Sequence, residues 1–183
     1  MELHRTSPPS NSDGPSIAWL DRNLSPMKRL AIFLSTAGGA GHSPKAPGTA
    51  GSLVGLAVFW WIARLPLTGQ IGFVFVGCVA ALWAVKGMQQ HYSVHDDSRI
   101  VIDEVIGMWI TLCGIPVTIA WYAAGFFLFR LLDIWKPFPA NYIDREWPGA
   151  RGVVFDDVAA GLMGALLLYL ARIAWPYLGA TAS

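Results

Sequence analysis

Charge is scarce in this 183-residue chain, where Asp, Glu, Lys and Arg together make up 14% of the residues, against roughly 25% in a soluble domain. That shortage excludes a disordered chain and an ordinary soluble enzyme. The balance is as thin as the total: thirteen basic against twelve acidic residues leave a formal charge of +1. No global field exists to attract nucleic acid, so none is expected as a partner. Cysteine is nearly missing too. Cys78 and Cys113 sit in apolar runs away from any histidine, which argues against a zinc site or a disulfide framework and reads as two buried small hydrophobes. The N-terminus lacks the basic start and immediate apolar core of a signal peptide, having Pro8, Pro9, Asp13, Pro15 and Asp21 instead.

What fills the chain is apolar: 54% hydrophobic residues, nine tryptophans and a mean hydropathy of +0.45. The length suits one domain, so the excess belongs to the body of the protein rather than to a separate anchor. The expected fold is all-α, a multi-pass membrane helical bundle with short helical hairpins and polar active-site loops on one face. Residues 1–26 read as a disordered tail and 27–183 as a single membrane-embedded domain.

A spanning helix needs about 20 apolar residues, and four uncharged runs come near that length. Ala46–Ala63 and Pro66–Val85 flank the turn Pro66-Leu67-Thr68-Gly69 and form one helical hairpin. Val105–Phe129 is broken at Gly114-Ile115-Pro116, because proline lacks a backbone donor and disfavours helix before it, and reads as a second hairpin of short arms. Val158–Ala171 is a further helix, and Leu30–Ser35 a partial one. Both hairpin turns are uncharged, whereas segments 1–29, 86–104 and 130–157 carry nearly all the charge. Both hairpins therefore point the same way. Arg22, Lys28, Arg29, Lys86, Arg99, Arg130, Lys136, Arg145 and Arg151 share the charged side, which the positive-inside rule places in the cytoplasm. Gly51 with Gly55, and Ala160 with Gly164, stand four apart, a spacing that lets membrane helices approach closely.

Seven of the twelve acidic residues fall in three clusters bordering apolar segments: Asp96, Asp97, Asp103 and Glu104; Asp133; and Asp156 with Asp157. A carboxylate at the lip of a membrane helix costs about 2.5–3.5 kcal/mol on insertion scales, so several together call for a partner. Mg²⁺, which favours carboxylate oxygen and substrate phosphate, is a fitting one. Plainer roles exist for each cluster. Asp156 or Asp157 can cap a helix starting near Val158, and Asp133 stands three residues from both Arg130 and Lys136, at ion-pairing distance on a helix. Asp103-Glu104, set between Ile100-Val101-Ile102 and the uncharged Val105–Thr111, has less of an alternative.

The stretch Gly38–Ser52 is rich in glycine and leads into a helix, the layout of a phosphate cradle. It is not a Walker A loop: counted from Gly39, Pro44 occupies the required glycine position and Ala46 the Ser/Thr position. Neither cysteine has an arginine six residues on, no Asp-x-Asp occurs, and the Lys, Ser and His set of the lipid phosphatases with a histidine nucleophile is missing. Metal-assisted chemistry is what remains.

Three strings together resemble the phosphatidylglycerophosphatase A family: Ser43-Pro44-x-x-Pro47-Gly48-Thr49-x-Gly51-Ser52-Leu53; Val94-His95-Asp96 through Ile100-Val101-x-Asp103-Glu104-x-Ile106-Gly107-Met108-Trp109; and Phe129-Arg130-x-Leu132-Asp133-x-Trp135-Lys136-Pro137-x-Pro139 on to Asp156-Asp157-x-x-Ala160-Gly161. The likeness covers roughly residues 30–175. It implies a Mg²⁺-dependent phosphatase of the bacterial inner membrane that converts phosphatidylglycerophosphate to phosphatidylglycerol and phosphate with its active site facing the cytoplasm. Asp103, Glu104, Asp133, Asp156 and Asp157 are then expected to hold Mg²⁺ or position water. Lys136 pairs with phosphate, and Thr49, Ser52, His95 and Arg130 complete the phosphate site. Asp96 and His95 handle protons or support the ligands. Lys45 and Asp97 fall where the resemblance fixes no residue and are set aside. The rival reading is a proton- or ion-coupled transporter, whose carboxylates act as relays near midspan and whose halves repeat. Here the acids crowd one end and no repeat is visible.

Overall fold

The computed structural model of the chain describes residues 24–92 and 97–180. The expected tail at 1–26 thus lies almost wholly outside the described residues, as do His95 and Asp96. Seven α-helices follow in order: α1 Pro26–Ser35, α2 Pro47–Ile62, α3 Leu67–Tyr92, α4 Ile102–Leu112, α5 Ile119–Trp135, α6 Ala140–Glu146 and α7 Ala150–Ala180, with a 3₁₀ stretch Ala37–His42 after α1. No strand occurs among the described residues, so the all-α class holds.

Local sequence sets most of these boundaries. Ser25 caps α1, its hydroxyl accepting from the Lys28 N–H at 3.4 Å, with Pro26 in the first turn. Thr118 caps α5 the same way through the Trp121 N–H at 3.3 Å. The two hairpins appear where the uncharged runs place them. Helix α7 differs: it starts at Ala150, two turns before Val158, so Asp156 and Asp157 lie inside the helix and do not cap it.

Helix α4 is the axis of the bundle. All its residues except Ile102 and Glu104 are buried, enclosed by α2, α3, α5 and α7. Small residues make that enclosure possible, as the four-residue spacings suggested. A methyl group added at Gly51 would stand 2.8 Å from Val101 Cβ, and one at Gly164 would stand 3.1 Å from Thr111. The Trp109 indole N–H donates to the Gly55 carbonyl at 3.0 Å, tying α4 to α2. Both cysteines are free and half-buried rather than deeply enclosed.

At one end of the bundle the two hairpin turns meet. The Gln70 amide donates to the Ala63 and Leu65 carbonyls, at 3.2 and 2.9 Å, and its oxygen accepts from the Gly114 N–H at 2.9 Å. Arg172 donates to the Gly114 carbonyl at 3.2 Å. The hairpins do point the same way, and the acidic residues collect at the opposite end.

Two helices, Leu67–Tyr92 and Ala150–Trp175, are long and apolar enough to cross a membrane. The other arms fall short of the four expected spans. At 16, 11 and 17 residues, α2, α4 and α5 extend about 24, 16 and 25 Å, less than a hydrocarbon core of about 30 Å. Apolar side chains nonetheless face outward along both long helices, including Ile71, Phe75, Val76 and Val79 on α3 and Leu162, Leu166 and Leu170 on α7.

Candidate active site

Three helix ends and the second turn of α7 build one acidic cavity of about 570 Å³. Asp103 and Glu104 occupy the first turn of α4, where free backbone N–H groups favour negative charge. Helix α7 contributes Asp156 and Asp157, and because adjacent helical residues are rotated by about 100°, the two carboxylates serve different partners. Asp157 joins Asp103 and Glu104, with one oxygen from each of the three lying within 4.8 Å of the others. Asp156 accepts from Lys136 Nζ at 2.6 Å and from the Asp157 N–H at 2.9 Å.

The end of α5 supplies the remaining groups. Arg130 and Asp133, three residues apart on one face, pair at 2.5 Å. The ion pair expected as the plain alternative for Asp133 exists, and Asp133 lines the cavity as well. Lys136 ends the helix in a left-handed conformation, φ 45° and ψ 59°. That backbone turns its side chain toward α6 and α7, where Nζ reaches Asp144 at 2.8 Å in addition to Asp156.

Gly48 closes the site from α2. A methyl group there would collide with the Glu104 carboxylate and come within 3.0 Å of Arg130 Nη1. The glycine is therefore required for close approach of the α2 backbone to the acids.

Two oxygens in this cluster stand out. Asp103 Oδ1 and Glu104 Oε2 are buried and have no hydrogen-bond partner, a costly condition for a carboxylate. Burial, then the adjacent charge of Glu104, pushes the Asp103 carboxyl well above its usual range. Burial also raises Glu104, with Asp133 adding to it and Asp103 and Arg130 opposing. Hard oxygen donors that repel one another and lack protein partners suit a small divalent cation. Lys136 behaves oppositely: burial would lower its proton affinity, but the hydrogen bonds it donates to Asp144 and Asp156 more than offset this and raise it.

The cavity gathers Asp103, Glu104, Asp133, Lys136, Asp156 and Asp157 from the expected site residues. Thr49, Ser52 and Arg130 stand behind its lining. Ser52 is fully buried and donates to the Gly48 carbonyl at 2.9 Å, with Arg130 Nη1 3.5 Å from its hydroxyl. The glycine-rich stretch contributes only Pro47 and Gly48 to the cavity. Gly41, by contrast, packs against the Arg99 carbonyl. Two acids on the lining had no place in the expected site. Asp144 stands on α6 in a charged stretch resembling ordinary surface. Asp97, set aside above, lines the cavity but is engaged by Arg99 at 2.6 Å. Arg99 overcomes the effect of burial and holds the Asp97 carboxyl below its usual range.

Fold and site define the class: an all-helical protein, apolar on its flanks, with an acidic pocket suited to a hard cation at one end. The family model for phosphatidylglycerophosphatase A matches residues 33–172, and the chain belongs to that family, and so to the lipid phosphatases of phosphatidylglycerol synthesis. It is 39% identical to the phosphatidylglycerophosphatase A of Escherichia coli K12 over 145 residues, 79% of this chain and 84% of the relative. It is 33% identical over 157 residues to the Haemophilus influenzae protein of the same name, covering 79% and 93% of the two chains. A Bacteroides thetaiotaomicron protein provisionally named a phosphatidylinositol-3-phosphatase is 38% identical over 159 residues, 80% of this chain and 98% of that one. No solved structure matches the chain.

Proposed function

We propose that the chain removes the terminal phosphate of phosphatidylglycerophosphate, giving phosphatidylglycerol and inorganic phosphate, with Mg²⁺ held by Asp103, Glu104 and Asp157. The observation that carries this reading is the convergence of those three carboxylates, two of whose oxygens are buried without a hydrogen-bond partner. When bound there, Mg²⁺ supplies Lewis-acid neutralisation of phosphoryl charge and a more acidic water.

The protein's own groups do the rest. Lys136 donates to a nonbridging phosphate oxygen. Asp133, oriented by Arg130, accepts a proton from the attacking water. The water oxygen forms the new P–O bond, the ester P–O bond breaks, and the glycerol oxygen leaves with the electron pair and takes up a proton. Asp156 anchors Lys136, while Thr49 and Ser52 shape the α2 wall behind Gly48.

The chain is proposed to sit as a multi-pass protein in the bacterial inner membrane, with α3 and α7 spanning and the shorter α2, α4 and α5 inserting from the charged side. The outward apolar faces of α3 and α7 support this, as does the joining of both uncharged turns at the end away from the acids. The excess of Lys and Arg on the acidic side supports a site at the cytoplasmic surface, where a head group would reach the cavity while its acyl chains stay in lipid.

Phosphate release from phosphatidylglycerophosphate in Mg²⁺, and its loss in EDTA, tests the reading. Phosphatidylinositol 3-phosphate in parallel tests the substrate, given the name of the Bacteroides relative. Turnover of the inositol lipid alone would overturn the substrate assignment, and full activity in EDTA would overturn the metal.

A further inference from the structure

Among the described residues, seven carboxylates line the cavity and Lys136 is the one basic side chain on it. A phosphate monoester entering so negative a space depends on that ammonium being in place and accessible. Lys136 is held from two sides, by Asp144 Oδ1 at 2.8 Å and by Asp156 Oδ2 at 2.6 Å. An ammonium has three donors, so one N–H remains for phosphate.

The two holders are unequal. The Asp156 side chain is 5% exposed and lies inside α7, its second oxygen already accepting from the Asp157 backbone. The Asp144 side chain is 45% exposed and belongs to the seven-residue α6. Stripping Lys136 from Asp156 would leave a buried charge unpaired, whereas Asp144 can be solvated by water when it lets go. The Lys136 backbone stays fixed meanwhile, since its N–H donates to the Leu132 carbonyl at 2.8 Å as the cap of α5.

We infer that Asp144 is a positioning residue that sets the affinity for phosphate: it holds Lys136 at the cavity mouth between turnovers and gives up its place to a phosphate oxygen while Asp156 keeps hold. The inference deepens the phosphatase reading and rests on it. In this arrangement Asp144 competes with both substrate and product, favouring release of inorganic phosphate.

The test uses the full chain in lipid vesicles, with Asp144→Asn, which keeps size and loses charge, and Asp144→Glu, which keeps charge. Inorganic phosphate binding is measured by equilibrium dialysis with labelled phosphate, and KM and kcat by phosphate release from phosphatidylglycerophosphate. Asp144→Asn should bind phosphate about three- to fivefold more tightly, the scale of a half-exposed ion pair, and the kinetic change should fall on KM rather than kcat. Asp144→Glu should restore wild-type affinity. In a Lys136→Gln background the Asp144→Asn effect should shrink or vanish. Unchanged or weaker phosphate binding by Asp144→Asn in an active enzyme overturns the inference, as does an undiminished effect without Lys136. Failure of the wild type to hydrolyse the lipid, with the dialysis shift intact, overturns the functional reading instead and leaves the Asp144–Lys136 competition standing.

Discussion

The two ends of the bundle solve the problem of buried polarity in opposite ways. At the turn end, one uncharged side chain, Gln70, satisfies three backbone groups from two hairpins, and Arg172 meets a fourth. At the other end, carboxylates are brought together and two of their oxygens are left without partners. Backbone groups met by a side chain stabilise a fold, whereas neighbouring carboxylate oxygens left without partners mark a place built for something else. Structure and chemistry are thus separated along the helix axes, and substitutions at the two ends should separate them too.

The largest expected effect is at the acidic end. Asp157→Asn removes a proposed ligand oxygen at nearly constant volume, and activity should fall by at least about 100-fold, since even residues that merely support a metal ligand are worth about 10–100-fold. Thermal unfolding in detergent should change little or rise as repulsion is relieved. Gly48→Ala comes next: its methyl would displace the Glu104 carboxylate, and a displacement of about 1 Å at a site can cost about 100-fold. A variant retaining wild-type kcat would show that the close approach of α2 has no catalytic consequence.

At the turn end the pattern should invert. Gln70→Ala strands the Gly114 N–H and two carbonyls and should destabilise the bundle by about 1–3 kcal/mol, while phosphate release per folded molecule stays near wild type. Equal losses of activity in the Gln70 and Asp157 variants would erase the contrast. The smallest effect concerns Asp97 and Arg99, at the rim of the cavity. Because Arg99 lowers the Asp97 carboxyl in the folded chain, the pair's contribution is complete above about pH 4, the ordinary aspartate value, and is lost as pH falls through the lowered one. With Arg99 part-exposed, Asp97→Asn should cost under about 1 kcal/mol at neutral pH, read from denaturant midpoints.

Much of the fold was legible because membrane-type runs announce themselves by length and by the lack of charge between them. The turns at Pro66–Gly69 and Gly114–Pro116 follow directly from proline and glycine. The start of α7 did not, because a criterion of uncharged residues stops at Asp156-Asp157 and hides the preceding turns from Ala150. Asp103-Glu104 stood out since nothing polar surrounds it, and its place at the N-terminus of an enclosed helix explains that isolation. Asp144 was invisible for the opposite reason. Its neighbours Asn141, Tyr142, Arg145 and Glu146 look like any solvated helix, and only the folding of α6 against α7 brings it to Lys136. Gly48 likewise gains its role from Glu104 across the fold, and a single sequence holds no record of such a contact.

Binding of Mn²⁺ in place of Mg²⁺, followed by electron paramagnetic resonance on the full chain, tests the central claim without depending on turnover. The wild type should bind Mn²⁺ in competition with Mg²⁺, and folded Asp103→Asn should lose that binding. Undiminished binding by the variant would contradict a centre shared by Asp103, Glu104 and Asp157.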